Sequence, residues 1–178
     1  MIKISSLFSK QFRAASLCVC LLFNMACQKC PETDLVLPTF FGISQTDVNA
    51  IPVNSPDETD WQLAEDWNTA ERNLFPNKQA IQYTAKPANN NFIYPAYPNG
   101  NMGIFQLNCY QLDSIFVCLV NQEGEKIIET ARSGTIVFNF DITDQKERFS
   151  EKKARLYYIL KSTSGQYYKG HGDIELYP

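Results

Sequence analysis

The sequence predicts a mainly β protein, an antiparallel β-sandwich with one short amphipathic helix. Three observations carry this. From residue 79 onward apolar residues recur at every second position: Ile81, Tyr83 and Ala85; Phe105, Leu107 and Cys109; Ile136, Phe138 and Phe140; Leu156, Tyr158 and Leu160. Turn signals rich in Asn, Pro and Gly separate these runs. Twelve Phe and nine Tyr in 178 residues favour a pleated sheet over helices.

The chain opens on Lys3, Lys10 and Arg13 with no acid, and Ala14 to Met25 is mostly apolar. A charged start followed by about a dozen apolar residues reads as a secretory signal, too short for a stable spanning anchor. The run ends in Ala26-Cys27. That ending resembles the lipobox of bacterial lipoproteins, in which a small residue precedes the cysteine that receives lipid. The resemblance covers the leader and the few residues after it. It implies a signal peptide over 1–26, diacylglycerol and a fatty acyl chain on Cys27, and a lipidated tether over 27–34; what remains, 35–178, is long enough for one β-sandwich domain with a real core. Several acyl chains, at about 0.8 kcal/mol per buried methylene, anchor a protein firmly. Gln28-Lys29, followed by Glu32 and Asp34, is similar to the surface-export signal of Bacteroidota lipoproteins, and a plain polar spacer is the alternative. The implied location is the cell envelope, at the outer membrane, facing the periplasm or the cell surface.

Without residues 1–26 the chain keeps thirteen of its sixteen basic residues and all nineteen acids, a net charge of −6. That balance, with no basic stripe, argues against nucleic acid as a partner. Of six cysteines, Cys18 and Cys20 leave with the signal and Cys27 takes lipid, so Cys30, Cys109 and Cys118 remain for disulfides.

Leu35 to Ile43 reads as a first strand, broken by Pro38. Ser55, Pro56 and Glu58 read as a capped helix start, and Leu63, Trp67, Ala70 and Leu74 share one helical face, so an amphipathic helix is expected near residues 57–74. Strands follow over 79–86, 92–97, 102–110, 115–120, 126–130, 135–141, 154–162 and 166–176. Ile115 to Val120, apolar throughout, reads as a central strand buried on both faces. The final hundred residues are similar in pattern to the immunoglobulin-like modules of bacterial envelope lipoproteins, which implies an immunoglobulin-like sandwich.

Asp113-Ser114 as a two-residue turn would pair Cys109 with Cys118 across a hairpin, at a Cα separation of about 4.5 Å that a disulfide can span. Cys30 paired with one of them, or free buried thiols, are the alternatives. His171, the one histidine, lies in Gly170-His171-Gly172-Asp173 and reads first as a glycine-flanked irregularity of the last strand. The carboxylates Asp141, Asp144 and Glu147, and Asp57, Glu58 and Asp60, lack the spacing of a calcium loop and read as solvated turns. No metalloprotease helix, phosphate loop or nucleophile elbow occurs, so no catalytic residue, metal or cofactor is assigned. Trp61, Tyr94 and Tyr97 are the candidates for a binding face, because aromatic rings stack on sugars and on partner proteins. The expectation is a non-enzymatic, lipid-anchored binding or scaffolding module whose partner is an envelope protein or a glycan. The alternatives are an envelope-anchored hydrolase of glycans using Asp141 and Asp173 as acid and base, and a purely structural lipoprotein.

Overall fold

The computed structural model describes residues 37–40, 42–64, 66–88, 92–134 and 137–177. All of them lie in the compact unit Val36–Pro178. The leader, Cys27, Cys30 and the tether fall outside the described residues, as does Ile136. Seven strands are present among the described residues: β1 (Gln62–Leu63), β2 (Ile104–Asn108), β3 (Leu112–Val120), β4 (Lys126–Ser133), β5 (Val137–Asp141), β6 (Lys153–Ser162) and β7 (Tyr167–Glu175). They form two antiparallel sheets, one ordered β1-β7-β6-β3-β4 and the other β2-β5. The chain crosses between sheets from β2 to β3 and from β5 to β6, so the pairs β2–β5 and β3–β6 interlock. The protein is a mainly β sandwich.

Alternation fixes which residues fill the space between the sheets. Phe105, Leu107, Phe138 and Phe140 of the small sheet meet Ile115, Val117, Leu119, Leu156, Tyr158 and Leu160 of the large one. Phe105 and Phe140 stack with centroids 4.8 Å apart. Each such side chain contributes about 1.5–3 kcal/mol by leaving water. A second apolar cluster covers the outer face of the large sheet, where Phe40, Trp67, Leu74 and Phe75 pack on Cys118, Val120, Tyr157 and Ile159. β3 and β6 are therefore buried on both sides, which is why Ile115 to Val120 reads as an unbroken apolar run.

The long helix expected near 57–74 is absent; among the described residues of that range only Thr69–Asn73 is α-helical (α1). Its capping box is built by Asn68 and Glu71, not by Ser55 and Glu58. Upstream, tertiary pairing overrides helical spacing. Trp61 takes a left-handed φ of 56°, and Gln62 and Leu63 pair with His171 and Gly170. Leu63 then joins the core between the sheets while Trp67 joins the outer cluster, so the two never share a face. The described residues of 35–43 and of 79–86 form no strand, although the Thr84 amide donates to the Tyr167 carbonyl. The 92–97 segment is extended beside β2 through single bridges, Ile93 with Cys109 and Tyr97 with Gln106.

The hairpin expected about Asp113-Ser114 is also overturned. β2 and β3 lie in different sheets, and Asp113 and Ser114 sit inside β3. Cys109 lies in the core between the sheets and Cys118 in the outer cluster; both are free buried thiols, so the Cys109–Cys118 disulfide is not formed.

Gly170 and Gly172 make no irregularity, since β7 keeps unbroken register with β6. They are glycines for another reason. A Cβ on Gly170 would stand 2.2 Å from the Gln62 carbonyl oxygen, and one on Gly172 would stand 2.2 Å from the Trp61 ring. The missing side chains form the slot into which Trp61 and β1 pack.

Candidate functional site

Two polar regions of the sandwich invite a functional reading. The first is a buried row of ionisable groups on the outer face of the large sheet. Arg155 and Asp173 are cross-strand partners joined by two hydrogen bonds, Nε to Oδ1 at 2.6 Å and Nη2 to Oδ2 at 2.7 Å. The guanidinium also donates to the carbonyls of Pro38 and Thr39 and lies over the Phe40 ring. Asp60 accepts the backbone amides of Asp173 (2.5 Å) and Ser44 (2.9 Å) through its two oxygens. Burial first, and then the neighbouring Asp173 carboxylate, push Asp60 up to about 7. Burial alone would lower Arg155, but Asp173 outweighs it and holds the guanidinium charged. His171 faces Tyr157 with ring centroids 5.8 Å apart. Burial, and then the Arg155 charge, lower it to about 4, so the imidazole is neutral at neutral pH.

In this row Asp60 and Asp173 serve as anchors. Asp60 and Asp173 are 4% and 1% exposed, and the oxygens of both are occupied by the bonds above. Asp141, the other half of the acid–base pair considered from the sequence, is exposed on β5 of the opposite sheet and accepts the Thr143 amide. The fold gives Asp141 and Asp173 no common site. Asp57 accepts the Thr59 amide and hydroxyl, both through Oδ1. Among the described residues no three His, Cys, Asp or Glu converge as metal ligands.

The second region is exposed. On β2 and β5 the residues that alternate with the core aromatics point outward in register: Ile104 beside Asp141, Gln106 beside Asn139, and Asn108 beside Val137. Tyr97 adds to this face, exchanging two backbone hydrogen bonds with Gln106, and its hydroxyl accepts from Asn108 Nδ2 at 3.1 Å. Tyr94 and Tyr110 flank the buried bridge of Ile93 and Cys109 and therefore turn outward. They are 49% and 43% exposed and meet edge to face at 5.3 Å. From Ile104 to Tyr110 the face runs about 20 Å. Its β5 flank continues into a cleft of about 420 Å³ between β4 and β5, lined by Thr130, Arg132, Asn139 and Asp141 among others.

Of the aromatics singled out from the sequence, the structure brings Tyr94 and Tyr97 together and removes Trp61, which is 2% exposed and fills the β7 slot. Tyr110, Gln106, Asn108 and Asn139 were not anticipated. Their signal was the kind of polar residue alternating with the core positions: carboxamides, not charges. Gln106 and Asn139 each offer both a donor and an acceptor, whereas Asn108 spends its Nδ2 on the Tyr97 hydroxyl and its Oδ1 is buried. The face can thus stack an apolar ring surface and bond hydroxyl groups beside it, with one carboxylate, Asp141, at its end. No known family model, curated protein or solved structure matches this chain.

Proposed function

We propose that this protein is a lipid-anchored module of the cell envelope that binds a neutral glycan, without catalysis, on the outward face of β2 and β5. The observation that carries the proposal is the register of that face: three tyrosines and three carboxamides with a single charge among them. A saccharide presents apolar C–H faces and hydroxyls in alternation, which is the complement of this pattern. An envelope protein as partner would call for larger apolar anchors at the centre of the face. The anchor rests on Ala26-Cys27 at the end of the apolar leader. The immunoglobulin-like reading of the sandwich belongs to the same proposal. It is supported by the connectivity, since β2 and β5 relate to β3, β6 and β7 as strands B and E relate to C, F and G in that fold.

Affinity electrophoresis through gels containing soluble neutral polysaccharides (xylan, galactomannan and mixed-linkage glucan) tests the site. Migration should be retarded in at least one gel. Tyr94→Ala and Gln106→Ala should each weaken the retardation about tenfold, the loss of roughly 1.4 kcal/mol. Unretarded migration in all of them, or retardation indifferent to both substitutions, counts against the site. Feeding labelled fatty acid to cells tests the anchor: label retained on the Cys27→Ala protein refutes it.

A further inference from the structure

The end of the sandwich at which Leu37 joins it carries an apolar tip. The loop from Asp47 to Val53 is closed by its own hydrogen bonds. The Asp47 amide donates to the Ile51 carbonyl at 2.9 Å, and the Val53 amide donates to Gln45 at 3.0 Å. Asp47 Oδ1 accepts from the amides of Asn49 and Ile51. Yet Val48, Ile51 and Val53 stand 72%, 57% and 61% exposed. A self-ordered loop that holds three aliphatic side chains in water forfeits their hydrophobic free energy unless a surface outside the molecule receives them. Met102 and Tyr177 are exposed at the same end. Thr46, at the base of the loop, pairs with Asn99, and the Tyr177 amide donates to Asn101.

The chain reaches the domain at this end as well. Leu37 lies against Gly124 in the β3–β4 turn. The carbonyls of Pro38 and Thr39 are held by Arg155, the partner of Asp173, and the Asp173 carbonyl accepts from Asn99 Nδ2. From Cys27 to Leu37 an extended chain spans at most about 35 Å. An anchor at Cys27 would hold this end within that distance of the membrane.

We infer that the tip is a second, non-covalent contact with the lipid surface, in which Val48, Ile51 and Val53 enter the boundary between headgroups and acyl chains. The inference rests on the lipid anchor proposed above. Lipid is the fitting occupant because no charge lies between Val48 and Val53, and because Tyr177 is an amphipathic ring suited to headgroup level. Such a contact fixes which end of the sandwich faces the membrane and leaves the β2–β5 face open to the side.

Val48→Trp in the full, natively processed chain provides the test, reconstituted into phosphatidylethanolamine–phosphatidylglycerol vesicles with brominated acyl chains. Trp61 and Trp67 are 2% and 3% exposed and give a constant background. A second variant, Ser164→Trp, reports from the β6–β7 turn at the other end. The indole at position 48 is expected to emit to the blue and to be quenched, and that at 164 to do neither. Adding Ile51→Asp should weaken the partition of the tip about tenfold. Acyl label is measured on the same sample. Quenching at 48 without acyl label keeps the tip and discards the anchor. Acyl label with a water-exposed, unquenched indole at 48, or equal quenching at 48 and 164, overturns the inference and leaves the anchor standing.

Discussion

Replacing Asp60 by Asn, and separately His171 by Asn, should tilt the pH dependence of stability in opposite directions. Asp60 rises on folding from 3.8 to about 7. Between those values the folded chain binds a proton that the unfolded chain has released, so this group's contribution to stability falls as pH rises through that window. The slope is up to about 1.4 kcal/mol per pH unit, and the total up to about 4 kcal/mol. His171 falls on folding from 6.5 to about 4. There the unfolded chain binds the extra proton, so the contribution rises with pH between about 4 and 6.5, up to about 3 kcal/mol in all. In the wild type the two oppose each other across the shared window. Asp60→Asn removes the falling component and leaves His171, so its stability should climb with pH relative to the wild type. His171→Asn should do the reverse. Urea unfolding from about pH 4 to about pH 8 measures both, and the wild-type-minus-variant difference at each pH cancels the contributions of other groups. A difference curve for Asp60→Asn without slope in this range would refute the burial argument for that carboxyl. Slopes of the same sign in both variants would refute the opposition.

Gly172→Ala should destabilise by about 1–3 kcal/mol through overpacking against Trp61, and by less in a Trp61→Ala background; thermal unfolding of the double-mutant cycle measures that coupling. Arg155→Met leaves Asp173 buried without its cation, for an expected loss of about 3–5 kcal/mol in chemical denaturation, while Arg155→Met with Asp173→Leu should recover part of it. Asn68→Ala removes the reciprocal cap of α1 and should cost about 1 kcal/mol by the same measurement.

The β-sandwich was legible because its core strands obey alternation over runs long enough to be unambiguous. Phe105 with Leu107, and Phe138 with Phe140, point inward where a period of two places them. The failures are those in which a local pattern met a stronger long-range partner. Leu63, Trp67, Ala70 and Leu74 have helical spacing, but Asp60 is held in a turn by Ser44 and Asp173, and Gln62–Leu63 pairs with β7, so long-range bonds outweigh the spacing. Asp113 and Ser114 read as a turn, yet the pairing of β3 with β4 and β6 draws them into a strand. The candidate face was half legible. Tyr94 and Tyr97 stand out by residue type, whereas Tyr110, Gln106, Asn108 and Asn139 acquire meaning only once β2 is placed beside β5 and the 92–97 segment.

The two thiols, one in each apolar layer, make the protein its own reporter of partial opening. Burial raises both to about 12, so neither reacts while its layer is closed. Cys109 becomes reactive when the two sheets separate, and Cys118 when the 67–75 segment lifts off the outer face. If the outer layer opens more readily, labelling at Cys118 will outpace labelling at Cys109 under native conditions, and the gap between the two rates measures how far the covering segment behaves as a cooperative unit distinct from the sandwich beneath it. Because Cys109 and Cys118 lie in separate layers, neither can reach the other without unfolding, so oxidants cannot join this pair while the sandwich is closed.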